Sequence, residues 1–491
     1  MLPRVLRAAT CIVAAGTVVA LAPGCGGETK KKAAPTPPAQ HFRTRPDLRP
    51  PRVKVNKAAS GTADGLIFLA PKEKVAQAGP LIIDDRGQVV WFLPLETKAV
   101  ADFKEQVYHG RPVLTWWRGK APLGVGSGFY TIYDSSYHHV ADVRAGNGLD
   151  GDIHEFLITP RNTALFTVYH RLPWDLSSVG GPKQGKIFDG IVQELDIASG
   201  RVLWEWKASD HVPVEESYAK VPNPKKGAKA APYDYFHVNS IDEEDDGNFL
   251  VSARNTHAVY KVDRSSGAVM WRLGGKKSDF AMGPGTTFNW QHDARRQPDG
   301  TITLFDNGAA PPVEKFTRVL VLRVDEQAKR ATLVRTFVHP RRVLVPFEGN
   351  AQFLPNGHVF VGWGGVNDVT EFDPKGRVLF SATFGGKGAD SYRAFRFPWK
   401  GTPTGDPAVA VVRGSGDGAT AYASWNGATD VTRWEVLAGP DSAHLHPVGS
   451  APKGGFETAI RVETKASTFA VRALGRNGEI LGTSRTATAS G

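Results

Sequence analysis

The chain has 491 residues, a formal net charge of +11 and only two cysteines, Cys11 and Cys25. That length suffices for two or three domains with a sizeable buried core. Two cysteines exclude a disulfide framework, and processing before Cys25 would remove cysteine metal sites and thiol catalysis from consideration; basic residues scattered along the chain argue against a nucleic-acid partner.

In chain order, Met1 to Arg7 is a short basic start, and Ala8 to Pro23 is uncharged and ends at Gly24-Cys25-Gly26-Gly27. This predicts a signal peptide over 1–24 and an exported protein with Cys25 as an acylated first residue. The apolar stretch falls short of the roughly 20 residues needed to span a bilayer. Residues 25–60, rich in Pro, Lys and Arg, predict a lipid-anchor tether on the membrane, with Lys30 to Lys32 solvated beside it.

An internal repeat then decides the fold. A strand ends in an acidic residue, a glycine turn follows, and a β-branched strand often carrying Trp comes next, as in Ile82 to Trp91, Glu194 to Trp204, Tyr260 to Trp271 and Glu371 to Phe380. Weaker copies centre on Asp134 and Asp325. The turn-entering aspartates Asp84, Asp134, Asp196, Asp263, Asp325 and Asp373 recur at intervals of 48 to 67 residues, which is the period of propeller blades. A second motif precedes four of these hairpins, beginning at His154, His237, His292 and Gly349. Four short strands per unit predict an all-β chain, with a six-bladed β-propeller over 61–390 followed by a small β-sandwich. The alternating strands of 403–491 give that sandwich a fibronectin type III or immunoglobulin style.

If the inner strand of each blade begins at His154, His237 and His292, the three imidazoles meet at one end of the axis as equivalent positions. One such histidine alone reads as structural; three at matched positions, with Gly349 in the fourth copy, read as a site. Arg254, closing the next strand, suits a sulfuryl or phosphoryl group, or else pairs with the acidic run Asp242 to Asp246. Three imidazoles can also hold zinc or copper. The run Asp242 to Gly247 has Ala253 where a calcium loop needs Glu and reads as a solvated turn. The Trp-bearing hairpins resemble quinoprotein dehydrogenase propellers in blade packing only.

His154-Glu-Phe, Tyr233 to Asp242, Ser252 to Thr256, Val259 to Asp263, Trp271 to Gly275 and Gln291 to Arg295, occurring in that order, resemble the arylsulfotransferase (ASST) family over about residues 65 to 385. The sandwich resembles the appendage of actinobacterial members. The resemblance implies an enzyme moving a sulfuryl group from an aryl sulfate to a phenol, with no cofactor, no metal and no nucleotide sulfate donor. It implies His292 as the nucleophile that becomes a sulfohistidine, with His154, His237, Asn239 and Arg254 as the other site positions. Tyr235 and Trp290 are candidates to stack on the aryl ring. The chain departs from some periplasmic members in having no pair of cysteines for a disulfide after processing. The competing expectations are a non-catalytic binding propeller and a metal-dependent hydrolase, and specificity is expected in the loops Leu172 to Lys186 and Val212 to Pro232.

Overall fold

The computed structural model describes residues 38–97, 99–223, 230–414 and 416–490. The expected signal peptide, Cys25 and the first part of the tether lie outside them. The described chain is all-β, with short 3-10 turns as its helical content.

Short strands follow one another in antiparallel meanders because each apolar run is cut by a turn with its own hydrogen-bond partner. All six repeat aspartates do the same local work. The Asp84 carboxylate accepts the amides of Arg86 and Gln88, Asp134 those of Ser136 and His138, and Asp373 those of Lys375 and Arg377. Asp196, Asp263 and Asp325 likewise accept amides two or three residues on. These are Asx-type turns, in which the side chain satisfies backbone donors that the ladder leaves free.

The first meander holds Leu66–Leu69, Leu81–Ile83 and Val89–Phe92, and its fourth strand comes from the far end of the repeats, Ala394–Phe397, with Leu66 opposite Phe397. The second (Val100–Tyr108, Arg111–Lys120, Ser127–Tyr133, His139–Val143) and third (Gly151–Ile158, Thr163–Trp174, Gly185–Asp196, Val202–Lys207) are joined into one sheet by the single pair Gly128 and Gly151. The fourth is Val238–Glu243, Phe249–Ala253, Ala258–Val262 and Val269–Gly274. His292–Arg296, Ile302–Asp306, Arg318–Asp325 and Arg330–Val338 make the fifth, and Asn350–Phe353, Val359–Gly362, Asp368–Phe372 and Val378–Phe384 the sixth.

Apolar clusters lie between consecutive meanders. Leu165, Val192, Tyr260 and Val262 join the third to the fourth, and Leu250, Val259, Leu304 and Leu320 the fourth to the fifth. Ile67, Leu81, Phe360 and Phe380 join the sixth back to the first.

Two expected boundaries are corrected. Residues 38–60 are not all tether: Val53–Lys57 is a fifth strand on the sixth meander, with Val53 opposite Phe384, and Leu48 is buried. Its alternation turns Val53 and Val55 onto the core cluster and the lysines outward, a pattern masked by the surrounding Pro and Arg. The repeat region also runs past 390, since Ala394–Phe397 supplies the strand that closes the first meander.

Beyond it, Ala408–Arg413, Gly418–Ser424 and Glu457–Glu463 form one sheet. Arg433–Gly439, His446–Pro452, Thr468–Leu474, Ile480–Thr483 and Ala487–Thr488 form another, and Val411, Ala421, Trp434, Ile460 and Val471 share a core between them. This region is tied to the repeats: Thr44 Oγ1 donates to Glu457 at 2.6 Å, and Asn426 exchanges two 3.0 Å bonds with the backbone of Phe92.

Candidate active site

His154, His237 and His292 line one cavity of about 700 Å³, with Asp234, Arg254, Asn255 and Tyr392 among its other walls. Ring nitrogens of the three imidazoles lie within 4.8 Å of one another, and the rings of His154 and His237 meet edge to face with centroids 4.8 Å apart.

They are not equivalent positions, which corrects the repeat alignment. The hairpin after each inner strand closes through the amides of Thr159, Glu244, Gln297 and Leu354, each bonded to the carbonyl four residues on. Counting back five residues from each lands on His154, Asn239, His292 and Gly349. His237 sits two residues earlier, ahead of its strand, with φ of 57°. The signal was in the spacing: ten residues separate His237 from the turn glycine Gly247, against eight from His292 to Gly300. Register irregularities at Val238/Ser240 and His292/Arg295 interrupt the regular pairing of these inner strands. Gly349 has no room for a side chain, because a Cβ there would meet the Phe305 ring at 2.4 Å.

Each imidazole has a different second partner. His154 Nδ1 lies 2.5 Å from Asp152, which also accepts the amide of Gly126 and the hydroxyl of Thr167. Burial raises the Asp152 carboxyl, but the charge and hydrogen bonds of His154 outweigh it and hold its pKa below the usual value. His237 Nδ1 is held by Asp234. Burial lowers the His237 pKa despite the opposing pull of Asp234.

His292 pairs with a neutral group. Its Nδ1 lies 2.7 Å from Asn307 Oδ1, and the Asn307 amide nitrogen donates to the carbonyls of Val345 and Glu348 at 3.1 and 2.9 Å. That orientation makes Oδ1 the acceptor, so Nδ1 carries the proton and Nε2 keeps a free lone pair. Burial first, then the positive charge of Arg254, holds the His292 pKa well below its ordinary value.

Arg254 stands where expected, just after Phe249–Ala253, with its amide donating to the His237 carbonyl at 2.9 Å. The pairing with Asp242 to Asp246 does not occur. Its guanidinium donates to neutral acceptors, Asn255 Oδ1 at 2.9 Å and the carbonyl of Pro346 at 3.2 Å, and stacks on Trp290 at 4.8 Å. Burial lowers its pKa to about 10. The acidic run is occupied by other cations: Lys261 binds Glu244 and Asp246, and Arg296 binds Glu244.

Two expected substrate contacts are not cavity walls. Tyr235 is fully buried beside Phe236 and Tyr260 in the cluster between the third and fourth meanders. Asn239 is fully buried and donates through Nδ2 to the carbonyl of Gln291 at 2.7 Å, fixing the residue before His292. Trp290 carries Arg254 on its face and donates to the Pro311 carbonyl, so it supports the guanidinium. The walls come from elsewhere than the expected loops: Thr97, Lys120 and Gly124 on one side, Phe347, Glu348 and Asp390 on another. Asp152, Asp234 and Asn307 escaped sequence reasoning.

Below the imidazoles lies a buried ion network. Arg393 bonds Asp102 at 3.0 Å and Glu155 at 2.9 and 3.1 Å, and lies 3.5 Å from Asp293. Lys104 bonds Asp102 and Glu155, and Arg295 bonds Asp293 and Glu155. Asp293 also accepts the amide of Ala351, and Arg295 donates to the carbonyl of Ile241. All six meanders are thereby tied at one point.

No curated protein matches this chain. Similar solved structures include a protein of unknown function from Bacteroides caccae, 13% identical, with 68% of this chain and 100% of that one covered and a TM-score of 0.39. A catalytically inactive virginiamycin B lyase from Staphylococcus aureus, crystallised with quinupristin, is 9% identical, with 76% and 96% covered and a TM-score of 0.35. The family description Arylsulfotransferase (ASST) matches residues 104–385, more than half of the sequence and the stretch that carries all three histidines. This chain therefore belongs to the arylsulfotransferase family.

Proposed function

We propose that the chain transfers a sulfuryl group from an aryl sulfate to a phenol through a sulfohistidine at His292. The observation that carries this is the neutral His292 ring, whose Nδ1 proton is engaged by Asn307 while Nε2 stays free beside Arg254. His292 Nε2 attacks sulfur, an N–S bond forms, and the S–O bond to the aryl group breaks. The leaving phenolic oxygen takes a proton from the Nε2 of His154 or His237, each ring oriented through Nδ1 by a carboxylate. In the second half the acceptor phenol returns its proton to that nitrogen, its oxygen attacks sulfur, and the N–S bond breaks. Arg254 donates to the sulfuryl oxygens throughout, and its stacked, partly buried fork costs little reorganisation.

The six meanders are read as blades of a single six-bladed propeller, with 403–491 as an immunoglobulin-like sandwich. The protein is read as exported and held at the membrane by acylated Cys25. A metal-dependent hydrolase is the second reading, favoured by the imidazole cluster. Tetrahedral zinc at 2.0–2.1 Å from each nitrogen needs ligand atoms about 3.3 Å apart, closer than the 4.8 Å limit within which these lie.

Incubation with 4-nitrophenyl sulfate and no acceptor is expected to add one sulfuryl group to His292, seen by mass spectrometry of alkaline-quenched peptides. No label on the wild type, or equal label on His292→Ala, overturns the proposal. A stoichiometric metal lost in His154→Ala would favour the hydrolase.

A further inference from the structure

The cavity has a second charged wall that the transfer chemistry does not use. Lys72, nine-tenths buried, is held by two carboxylates, Glu348 and Asp390, each at 2.8 Å. All three line the cavity, together with Glu73. Lys72 pairs with two carboxylates and exposed Glu73 adds a third to the lining, so negative charge is in surplus on this wall. The second oxygen of Glu348 has no hydrogen-bond partner, and Lys72 engages only Oδ1 of Asp390. Burial first, then the charge of Glu348, raises the Asp390 carboxyl to about 7 against the opposing pull of Lys72.

This wall stands beside the proposed nucleophile. The backbone carbonyl of Glu348 accepts from Asn307, the residue that holds His292. Glu348 occupies a left-handed backbone position, φ 63°, just before the glycine that replaces histidine in the sixth meander. Next to it Phe347, 45% exposed, offers an aromatic face to the same cavity. Arg254 and Lys120 are the other cations on the lining. Arg254 belongs to the sulfuryl end, and exposed Lys120 lies on a different segment of the wall.

We infer that Phe347, Glu348 and Asp390 form an acceptor subsite selecting phenols that carry a protonated amine, the ring lying against Phe347 and the ammonium supplying the missing positive charge. The inference rests on the sulfotransfer reading for the word acceptor, but the recognition itself is a binding property. Lys72 bridges the two carboxylates, offsets one charge and leaves the surplus for the ligand.

The test is equilibrium binding by calorimetry at pH 7.5, without any sulfate donor, to a matched series. Tyramine carries an ammonium, 4-(2-hydroxyethyl)phenol a neutral donor, and 4-ethylphenol neither. The wild type is expected to bind tyramine about tenfold tighter than 4-ethylphenol, with the alcohol between them. Glu348→Gln should reduce the tyramine preference to about threefold or less, while Lys72→Gln, which leaves both carboxylates, should not reduce it. Equal affinity for tyramine and the alcohol overturns the inference, as does a preference that Glu348→Gln leaves intact or that both variants abolish alike. Amine discrimination without sulfohistidine would sink sulfotransfer alone, and sulfohistidine without discrimination would sink this subsite alone.

Discussion

His154 and Glu155 are consecutive residues, as are His292 and Asp293, and Tyr392 and Arg393, yet the members of each pair work in opposite environments. The first of each lines the cavity. The second joins the ion network below it, where Glu155 and Arg393 are wholly buried and each charge meets several opposite ones. His154 and Glu155 share a strand, whose neighbours point to opposite sides. Asp293 turns away through a left-handed φ of 56°, and Tyr392 and Arg393 stand just ahead of Ala394–Phe397, so one short segment can serve two purposes. Below, multiple pairing makes the ions a clasp between meanders. Above, the imidazoles lack full pairing and Nε2 is left for chemistry.

The contrast breaks most sharply at His292. His292→Ala should lower transfer by on the order of 10³-fold or more, while its Tm stays within about 4 °C of the wild type, since the variant deletes a neutral ring with one hydrogen bond to the neutral Asn307. Transfer assay and thermal melt on the same sample check both halves. Arg393→Met should do the reverse. It strands Asp102, Glu155 and Asp293 with fewer cations, and loss of one partner from such a buried network costs about 3–5 kcal/mol, to be read by urea unfolding.

A smaller effect sharpens the difference among the imidazoles. Asn307→Asp would make the His292 pairing resemble those of His154 and His237. A carboxylate at 2.7 Å favours the imidazolium, so the folded pKa rises from well below its ordinary value and the nucleophile is protonated at higher pH. The acid limb of kcat/KM should move upward by about one unit or more, while Asn307→Ala should lower the rate roughly 10 to 100-fold without that shift. An unmoved limb in the aspartate variant would mean that His292 does not set it.

The smallest expected effect is on stability against pH. His237 and His292 have lowered folded pKa values, and burial brings His257 down to about 3. Their neutral forms are favoured in the fold, so the unfolded chain takes up protons first. The stability they contribute is complete above about pH 6.5 and declines as pH falls toward the folded values. Melting points between pH 7.5 and 5 should fall steadily, and His257→Phe should flatten the slope. An unchanged slope would show that His257 takes up its proton without unfolding.

Much of this was legible in the residues alone. The recurrence of Asp, Gly and Trp marked the hairpins because an Asx-type turn needs only a side chain and the amides two to four residues beyond it, all local in sequence. The same locality brought out Gly349 as the copy without histidine. Less local features were misread. The two extra residues after His237 shift it off the register shared by His154 and His292, a difference that shows once the hairpins are paired. Val53–Lys57 passed for tether because its partner strand lies more than 300 residues away.

The sequence by itself determined an all-β chain of repeated hairpins, the three histidines, Arg254 and the family. Only the tertiary structure decided which partner each imidazole has, that Asn239 and Tyr235 are buried supports, and that Lys72, Glu348 and Asp390 meet in one wall. The physical reason is range. A turn is closed by neighbours, whereas a buried charge is satisfied by whatever group the fold brings within about 3 Å, and that group can come from anywhere in the chain.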